Sequence, residues 1–259
     1  MPLVETSCTD AVATVTMTHM EKRNALGGAL IDAILDALNW AAGLEARCVV
    51  LRAPAGSRVF SAGHDVNELP TSGRDPLGYS DPLEQLVRAI RKLPAPVIAM
   101  IEGSVWGGAC EVATSCDIVI GTHTATFAAT PARIGVPYNT TGLLNLLNAL
   151  GPRALRELLF TADPISAERA FELGIFNHLV AVHEIEDFTY KMARRIAENS
   201  PLSISVMKEQ VRILQNASPL SPETFERLQG LRRMVYDSAD YEEGRKAFLE
   251  KRKPLFTGR

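Results

Sequence analysis

The chain has 259 residues, a formal net charge of −3, 46% hydrophobic and 22% charged residues, the proportions of an ordinary globular protein long enough to bury a large core. That charge excludes an overall electrostatic footprint for nucleic acid or an anionic membrane, and no apolar run is long enough to span a bilayer. Cys8, Cys48, Cys110 and Cys116 have no metal-ligand spacing; with a polar rather than apolar leader they predict reduced thiols in a cytoplasmic protein.

Residues 11–17 (AVATVTM) alternate apolar and polar, which predicts a half-exposed strand. Residues 25–40 show apolar spacing of three and four, an amphipathic helix. A buried strand follows at 47–51 (RCVVL) and a loop at 60–65 (FSAGHD). Residues 73–82, rich in Gly, Pro and Asp, predict a surface loop before a helix at 83–93. A short apolar strand at 96–101 (PVIAMI) leads into a loop at 102–108 (EGSVWGG), a buried helix at 109–115 and a strand at 117–120. The strand–loop–helix pattern repeats more loosely over 126–150, and 178–182 is the last predicted strand. From 184 onward the chain reads as helical, broken at Pro201 and at a turn over 218–222. This order gives an α/β core and a helical C-terminal section, and by itself fits a doubly wound sheet equally well.

Two Gly-containing loops each follow an apolar strand, at Ala62–Gly63 and at Gly107–Gly108. Glycine permits positive φ and close approach of backbone to a ligand, and a loop that feeds a helix leaves unpaired N–H groups at the helix start. Two such loops side by side can aim two donors at one oxygen, an oxyanion hole. On spacing alone, two tight turns with no ligand are the stronger reading.

The wording of the loops changes that balance. Phe60-Ser61-Ala62-Gly63-His64-Asp65, followed by Pro96 to Ala109 (PVIAMIEGSVWGGA), the early Arg23-Asn24-Ala25-Leu26 and the later Cys116-Asp117-Ile118-Val119-Ile120 together resemble the crotonase (enoyl-CoA hydratase/isomerase) superfamily. The resemblance implies a spiral of ββα units over 1–195 and a helical C-terminal region over 196–259 that forms a trimer, often a dimer of trimers. It also implies a coenzyme A thioester as ligand, with coenzyme A belonging to the substrate and no further cofactor or metal. The oxyanion donors would be the amides of His64 and Gly108. Adenine and pantetheine would lie along Ala62, Gly63, His64, Asp65 and Val66, and basic groups at Lys22 and Lys251–Lys253 would meet phosphates.

Hydratases of that family carry two glutamates. The first position is Glu111 here, but the second, in Thr130-Pro131-Ala132-Arg133, is Ala132, which cannot exchange a proton. Water addition and simple double-bond migration both lose a group they use. What remains suits a reaction that makes an enolate without a strong base. Decarboxylation of a malonyl-type thioester is such a reaction, because the departing carboxylate leaves its electrons in the thioester. The phrases Gly135-Val136-Pro137-Tyr138-Asn139 and Phe248 to Pro254 (FLEKRKP) are similar to the branch of the family that converts methylmalonyl-CoA to propionyl-CoA. An atypical hydratase or thioesterase is the alternative within the family, and a non-catalytic RNA-binding member the alternative outside catalysis; the charge gives no support to the second.

Individual residues have competing readings. The Tyr138 hydroxyl either holds the substrate carboxylate or bonds backbone at a helix start. Glu111 either supplies a proton after loss of CO2 or stabilises the helix it begins. The His64 imidazole either meets the carboxylate or is structural. Thr130 either lines the acyl pocket or serves a turn. Trp106 reads as an apolar wall, and Cys110 and Cys116 as buried apolar residues.

Overall fold

The computed structural model describes residues 2–69, 78–215 and 221–258. Residues 73–77 of the loop expected at 73–82 and 218–220 of the turn expected at 218–222 lie outside them.

The described strands form two sheets. The larger has the order β1-β2-β3-β5-β7-β10 and the smaller β4-β6-β8-β9. β1 (Val4–Thr9) and β2 (Val12–Met17) pair antiparallel at one edge. β2, β3 (Cys48–Arg52), β5 (Val97–Ile101), β7 (Ile118–Thr122) and β10 (His178–Val180) continue in parallel. β3 and β5 are buried at every residue. That is why CVVLR and VIAMI read as unbroken apolar runs rather than alternating ones.

The smaller sheet was not legible in advance. Its strands β4 (Val59–Ser61), β6 (Ser104–Trp106), β8 (Thr126–Ala128) and β9 (Ile165–Ser166) have two or three residues each. β6 lies inside what the sequence predicts to be a loop, and the polar first ten residues contain β1, an exposed edge strand.

Together the sheets form a spiral. Three successive turns, β3–β4, β5–β6 and β7–β8, each put one strand in the large sheet and the next in the small one, then enter a helix. These helices are α2 (Pro82–Lys92), α3 (Gly108–Ser115) and α4 (Thr140–Thr161), the last broken at Gly151 before Pro152. With α1 (Gly28–Gly43), they cover one face of the large sheet in the main core. α5 (Ala167–Glu172) follows β9, and α6 (Ile185–Ala197) covers the opposite face in a second cluster around Val50, Ile98 and Ile120.

Three further helices follow, α7 (Pro201–Gln215), α8 (Pro222–Tyr236) and α9 (Ala239–Leu249). α9 returns to the spiral and packs on the 3-10 turn Pro131–Ile134. A Cβ on Gly244 would stand 3.0 Å from the Gly135 nitrogen, so glycine is what lets α9 lie against that backbone. Leu69, Val136, Tyr236 and Tyr241 form a small cluster there. No described helix is long and apolar enough to cross a membrane.

Candidate active site

The spiral explains why distant loops meet. Ser61 is in register with Val105, and Trp106 with Ala128, so the chain leaves β4, β6 and β8 at neighbouring points of one sheet edge. Those exits are the loop of Ala62 to Asp65, the Gly107–Gly108 turn and the segment from Thr130 to Tyr138. They enclose a cavity of about 410 Å³.

The two loops touch. A Cβ on Gly63, whose φ is +83°, would stand 3.1 Å from the Gly108 nitrogen, and one on Gly108 would stand 3.5 Å from the His64 nitrogen. The His64 and Gly108 amides are thus neighbours, as expected for two donors serving one oxygen. Among the described residues neither has a backbone acceptor. The flanking groups do: Leu26 N–H donates to the Gly63 carbonyl at 2.7 Å and Asp65 N–H to Leu26 at 3.3 Å. This pairing also explains why α1 starts at Gly28 rather than at residue 25. Gly108 opens α3, so its N–H adds the positive end of a helix dipole.

The His64 side chain is engaged by the protein. Nδ1 donates to the Asp65 carbonyl at 3.1 Å and Nε2 lies 3.9 Å from Asp81 Oδ2. Burial lowers its pKa, but Asp81 and the Asp65 carbonyl outweigh burial and raise it overall. Asp81 also caps α2, accepting from Leu83 N–H at 2.8 Å. The imidazole therefore ties the first loop to α2, which favours the structural reading of this ring. Asp65 is likewise used internally. It accepts from Lys22 Nζ at 3.0 Å and from Asn67 at 2.8 and 3.0 Å. These bonds hold it ionised against the cost of burial, below its ordinary pKa.

Glu111 is fully buried one turn into α3 and lines the cavity. Asn139 Nδ2 donates to one oxygen at 3.2 Å and Asn145 Nδ2 to the other at 3.4 Å. Burial, then the nearby Glu84, push its pKa up to about 8 against the pull of the two amides and Arg91. At neutral pH Glu111 is mostly a neutral acid. Asn139 also caps α4 through Gly142 N–H. A Cβ at Gly142 would come within 2.5 Å of the Glu111 carboxyl, so the helix start is shaped around it.

Tyr138 lies in the cavity wall, but its hydroxyl donates to the Gly107 carbonyl at 2.8 Å. A hydroxyl has one hydrogen to give, so the expected donation to a substrate carboxylate is not what the structure shows. The bond has another consequence. Gly107 C=O and Gly108 N–H belong to one planar trans peptide and point opposite ways. Holding the carbonyl fixes where the Gly108 N–H points.

Ala62, Val66 and Thr130 line the cavity, while Gly63 stands behind it as the contact between loops. Ala132 is exposed on the 3-10 turn and outside the cavity. One expectation is corrected. The Trp106 side chain is not in the wall; its carbonyl instead packs on Gly63. Lys251 is exposed beyond α9 and does not reach the cavity, whereas Phe248, one turn earlier on the helix, does. Lys22 and Arg23 are the cations at the mouth. Cys48, Cys110 and Cys116 are buried, with the Cys48 thiol pushed up to about 12 by burial and the other two also raised. Among the described residues no group of three His, Cys, Asp or Glu could hold a metal ion.

Comparison with known proteins agrees with this geometry. The enoyl-CoA hydratase/isomerase family pattern matches residues 7–259. The chain is 53% identical to methylmalonyl-CoA decarboxylase of Escherichia coli K12 over 95% of both chains. It is 32% identical to carnitinyl-CoA dehydratase of Salmonella arizonae over 79% of both. A solved methylmalonyl-CoA decarboxylase in complex with 2-nitronate-propionyl-CoA superposes with a TM-score of 0.98 at 51% identity, covering 99% of each chain. With its two-sheet spiral, its paired amides and a match over nearly its whole length, the chain belongs to the enoyl-CoA hydratase/isomerase family.

Proposed function

We propose that this protein decarboxylates methylmalonyl-CoA to propionyl-CoA. The observation that carries the reading is the pair of adjacent amides, His64 and Gly108, over a cavity whose carboxyl group, Glu111, is held neutral. Likeness to a methylmalonyl-CoA decarboxylase over 95% of the chain supports the substrate.

The thioester oxygen sits between the two N–H groups. The bond from Cα to the carboxylate breaks, CO2 leaves, and the electron pair moves into the thioester as an enolate. The two amides stabilise the charge that appears on oxygen, a contribution worth about 2.7–4 kcal/mol per donor. Tyr138 acts through the Gly107–Gly108 peptide, holding one of those donors in position. Thr130 is the cavity hydroxyl available to fix the rotation of the carboxylate. A neutral Glu111 does not repel the substrate's negative charge, and its proton then goes to Cα. Lys22 and Arg23 at the mouth suit the coenzyme A phosphates. Exposed apolar residues on α8, Phe225, Leu231 and Met234, suit self-association as a trimer or dimer of trimers.

Hydration is the rival reaction, and Ala132 together with a protonated Glu111 leaves it without a base. Purified protein given methylmalonyl-CoA is expected to release CO2 and form propionyl-CoA. Brisk hydration of crotonyl-CoA with methylmalonyl-CoA left intact would overturn the proposal.

A further inference from the structure

Gly63 has no side chain to be packed, and glycine has the widest backbone range of any residue. The direction of the His64 N–H nevertheless depends on it. That N–H shares a planar trans peptide with the Gly63 carbonyl and turns with it about the Gly63 backbone. Both sides of Gly63 are tied. Its carbonyl accepts from Leu26 N–H at 2.7 Å. Its own N–H donates to the Ser61 hydroxyl at 3.1 Å, its one hydrogen-bond partner among the described residues. The first bond holds the peptide plane that carries the His64 donor, and the second holds the plane before it.

The Ser61 hydroxyl is itself fixed. Ser61 ends β4, is 1% exposed and donates to the Asn24 carbonyl at 2.7 Å. A hydroxyl that gives its one hydrogen to a carbonyl turns a lone pair elsewhere, here to the Gly63 N–H. Asn24 is anchored in turn. Its Nδ2 donates to the Phe60 carbonyl at 3.0 Å, and the Arg23 carbonyl before it accepts from Ala62 N–H at 2.9 Å. Arg23 and Asn24 have left-handed backbones, with φ of +53° and +51°. Residues other than glycine keep that conformation where surrounding bonds over-determine it. Neither Ser61 nor Asn24 lines the cavity.

We propose that Ser61 is a positioning residue for the first oxyanion donor: with the Leu26 amide it locks the two peptides flanking Gly63 and so aims the His64 N–H at the thioester oxygen. The proposal rests on the reading of the His64 and Gly108 amides as donors to that oxygen. It gives the two donors matching supports. The Gly108 N–H is aimed by a side chain that holds the Gly107 carbonyl, and the His64 N–H by a backbone amide that holds the Gly63 carbonyl, with Ser61 setting the peptide before it. Preorganised donors of this kind need no reorientation as charge develops.

The test has two arms, both on the full chain. One reads the carbonyl stretch of bound propionyl-CoA, labelled with 13C at the thioester carbon, by difference infrared spectroscopy. The other reads kcat and KM for methylmalonyl-CoA. In the parent, hydrogen bonding is expected to lower the stretch relative to the free thioester. Ser61→Ala is expected to lose part of that shift and to lower kcat roughly tenfold, the worth of about one hydrogen bond, with KM little changed. The α-hydroxy analogue of leucine at position 26, which removes the N–H and keeps the side chain, should act the same way. The same analogue at Leu38, in the middle of α1, is the control and should keep both the shift and kcat. Where Ser61→Ala does not fold, the two esters decide. The proposal is overturned by a Ser61→Ala protein with the parent's shift and kcat, by a position-26 ester no worse than the position-38 ester, by a loss expressed in KM alone, or by a parent that leaves the stretch unshifted. A shifted stretch without CO2 release would instead overturn the decarboxylation, and the infrared comparison would still judge Ser61.

Discussion

Gly63 is where the site is most sensitive to a single methyl group. Its φ of +83° is one that L side chains rarely adopt, and a Cβ there would stand closer than 3.0 Å to the Trp106 carbonyl oxygen and 3.1 Å from the Gly108 nitrogen. Trp106 cannot yield easily, because it ends β6, which is paired to β4 on one side and β8 on the other. In Gly63→Ala the first loop must move instead, and the His64 amide moves with it. The left-handed backbone costs about 1–2 kcal/mol and the overpacking about 1–3 kcal/mol, so a stability loss of roughly 2–5 kcal/mol is expected. Taking one donor off the thioester oxygen costs about 2.7–4 kcal/mol of barrier, or 10²–10³ in kcat. Gly56 provides the control. Its φ is +73° but a Cβ there meets nothing within 4 Å, so Gly56→Ala keeps the backbone strain and lacks the clash. It is expected to lose about 1–2 kcal/mol of stability and no turnover. CO2 release from methylmalonyl-CoA and urea unfolding, measured on both variants, separate the two effects. A folded Gly63→Ala protein with turnover near the parent's would refute the two-amide site, and so would an equal loss of turnover in Gly56→Ala.

Other perturbations test the remaining parts. Tyr138→Phe leaves the Gly107 carbonyl only the Cys110 N–H, at 3.0 Å, and is expected to lower kcat by up to roughly tenfold, the worth of about one hydrogen bond, with KM for the thioester little changed; an equal rise in KM would point to substrate contact instead. Glu111 has a folded pKa raised to about 8 from an ordinary value of 4.5. Its contribution to stability is therefore full below pH 4.5 and is lost as pH rises through 8, so Glu111→Gln should flatten the pH dependence of urea unfolding over that window. His64 is also raised, from 6.5, chiefly by Asp81 working against burial; its contribution is present below pH 6.5 and fades as pH rises through the folded value, and Asp81→Asn should remove it. Alkylation of the native protein at pH 8 should label Cys8 rapidly and leave Cys48, Cys110 and Cys116 unmodified, read as a single mass addition, because only Cys8 is exposed.

The sequence shows most clearly what depends on periodicity and on backbone donors. The large sheet was readable because β3 and β5 are apolar throughout, and α1 because Leu30, Ile31, Ile34, Leu38 and Ala41 recur at helical spacing. The small sheet was not, since strands of two or three residues are too short to show alternation. The close approach of the two loops was readable only with the family resemblance, because glycines at that spacing mark tight turns equally well. Side-chain roles were harder. Tyr138 had two readings, and which acceptor its hydroxyl reaches depends on a turn 31 residues away. Asn139 and Asn145 carry no signal of their own in the sequence, and only their convergence on Glu111 gives them a place in the site. Lys251 lies exposed past the end of α9, which turns Phe248 toward the cavity.

The charges around the cavity follow one pattern. A carboxylate about to leave as CO2 gives up a full charge at that position, so a cation fixed beside it would stabilise the starting state more than the transition state. An anion beside it would weaken binding. The cavity avoids both. Its aspartate is consumed by Lys22 and Asn67, its buried glutamate, Glu111, is mostly neutral, and its other charged side chains, Glu21, Lys22 and Arg23, stand exposed at the mouth. The groups left facing the acyl end are two amide N–H donors, a hydroxyl and apolar side chains such as Leu83 and Val136. Under the proposed mechanism that set would bind charge where it develops, on the thioester oxygen, and leave it unsupported where it is lost. Restoring a carboxylate through Ala132→Glu therefore separates the two chemistries. If the new group enters the cavity ionised, decarboxylation should fall through repulsion of the substrate while hydration of crotonyl-CoA becomes measurable. Since Ala132 is exposed on its turn, a variant that changes neither activity would mean that the turn directs this position away from substrate, and that the loss of the second glutamate lies in the backbone as well as in the residue.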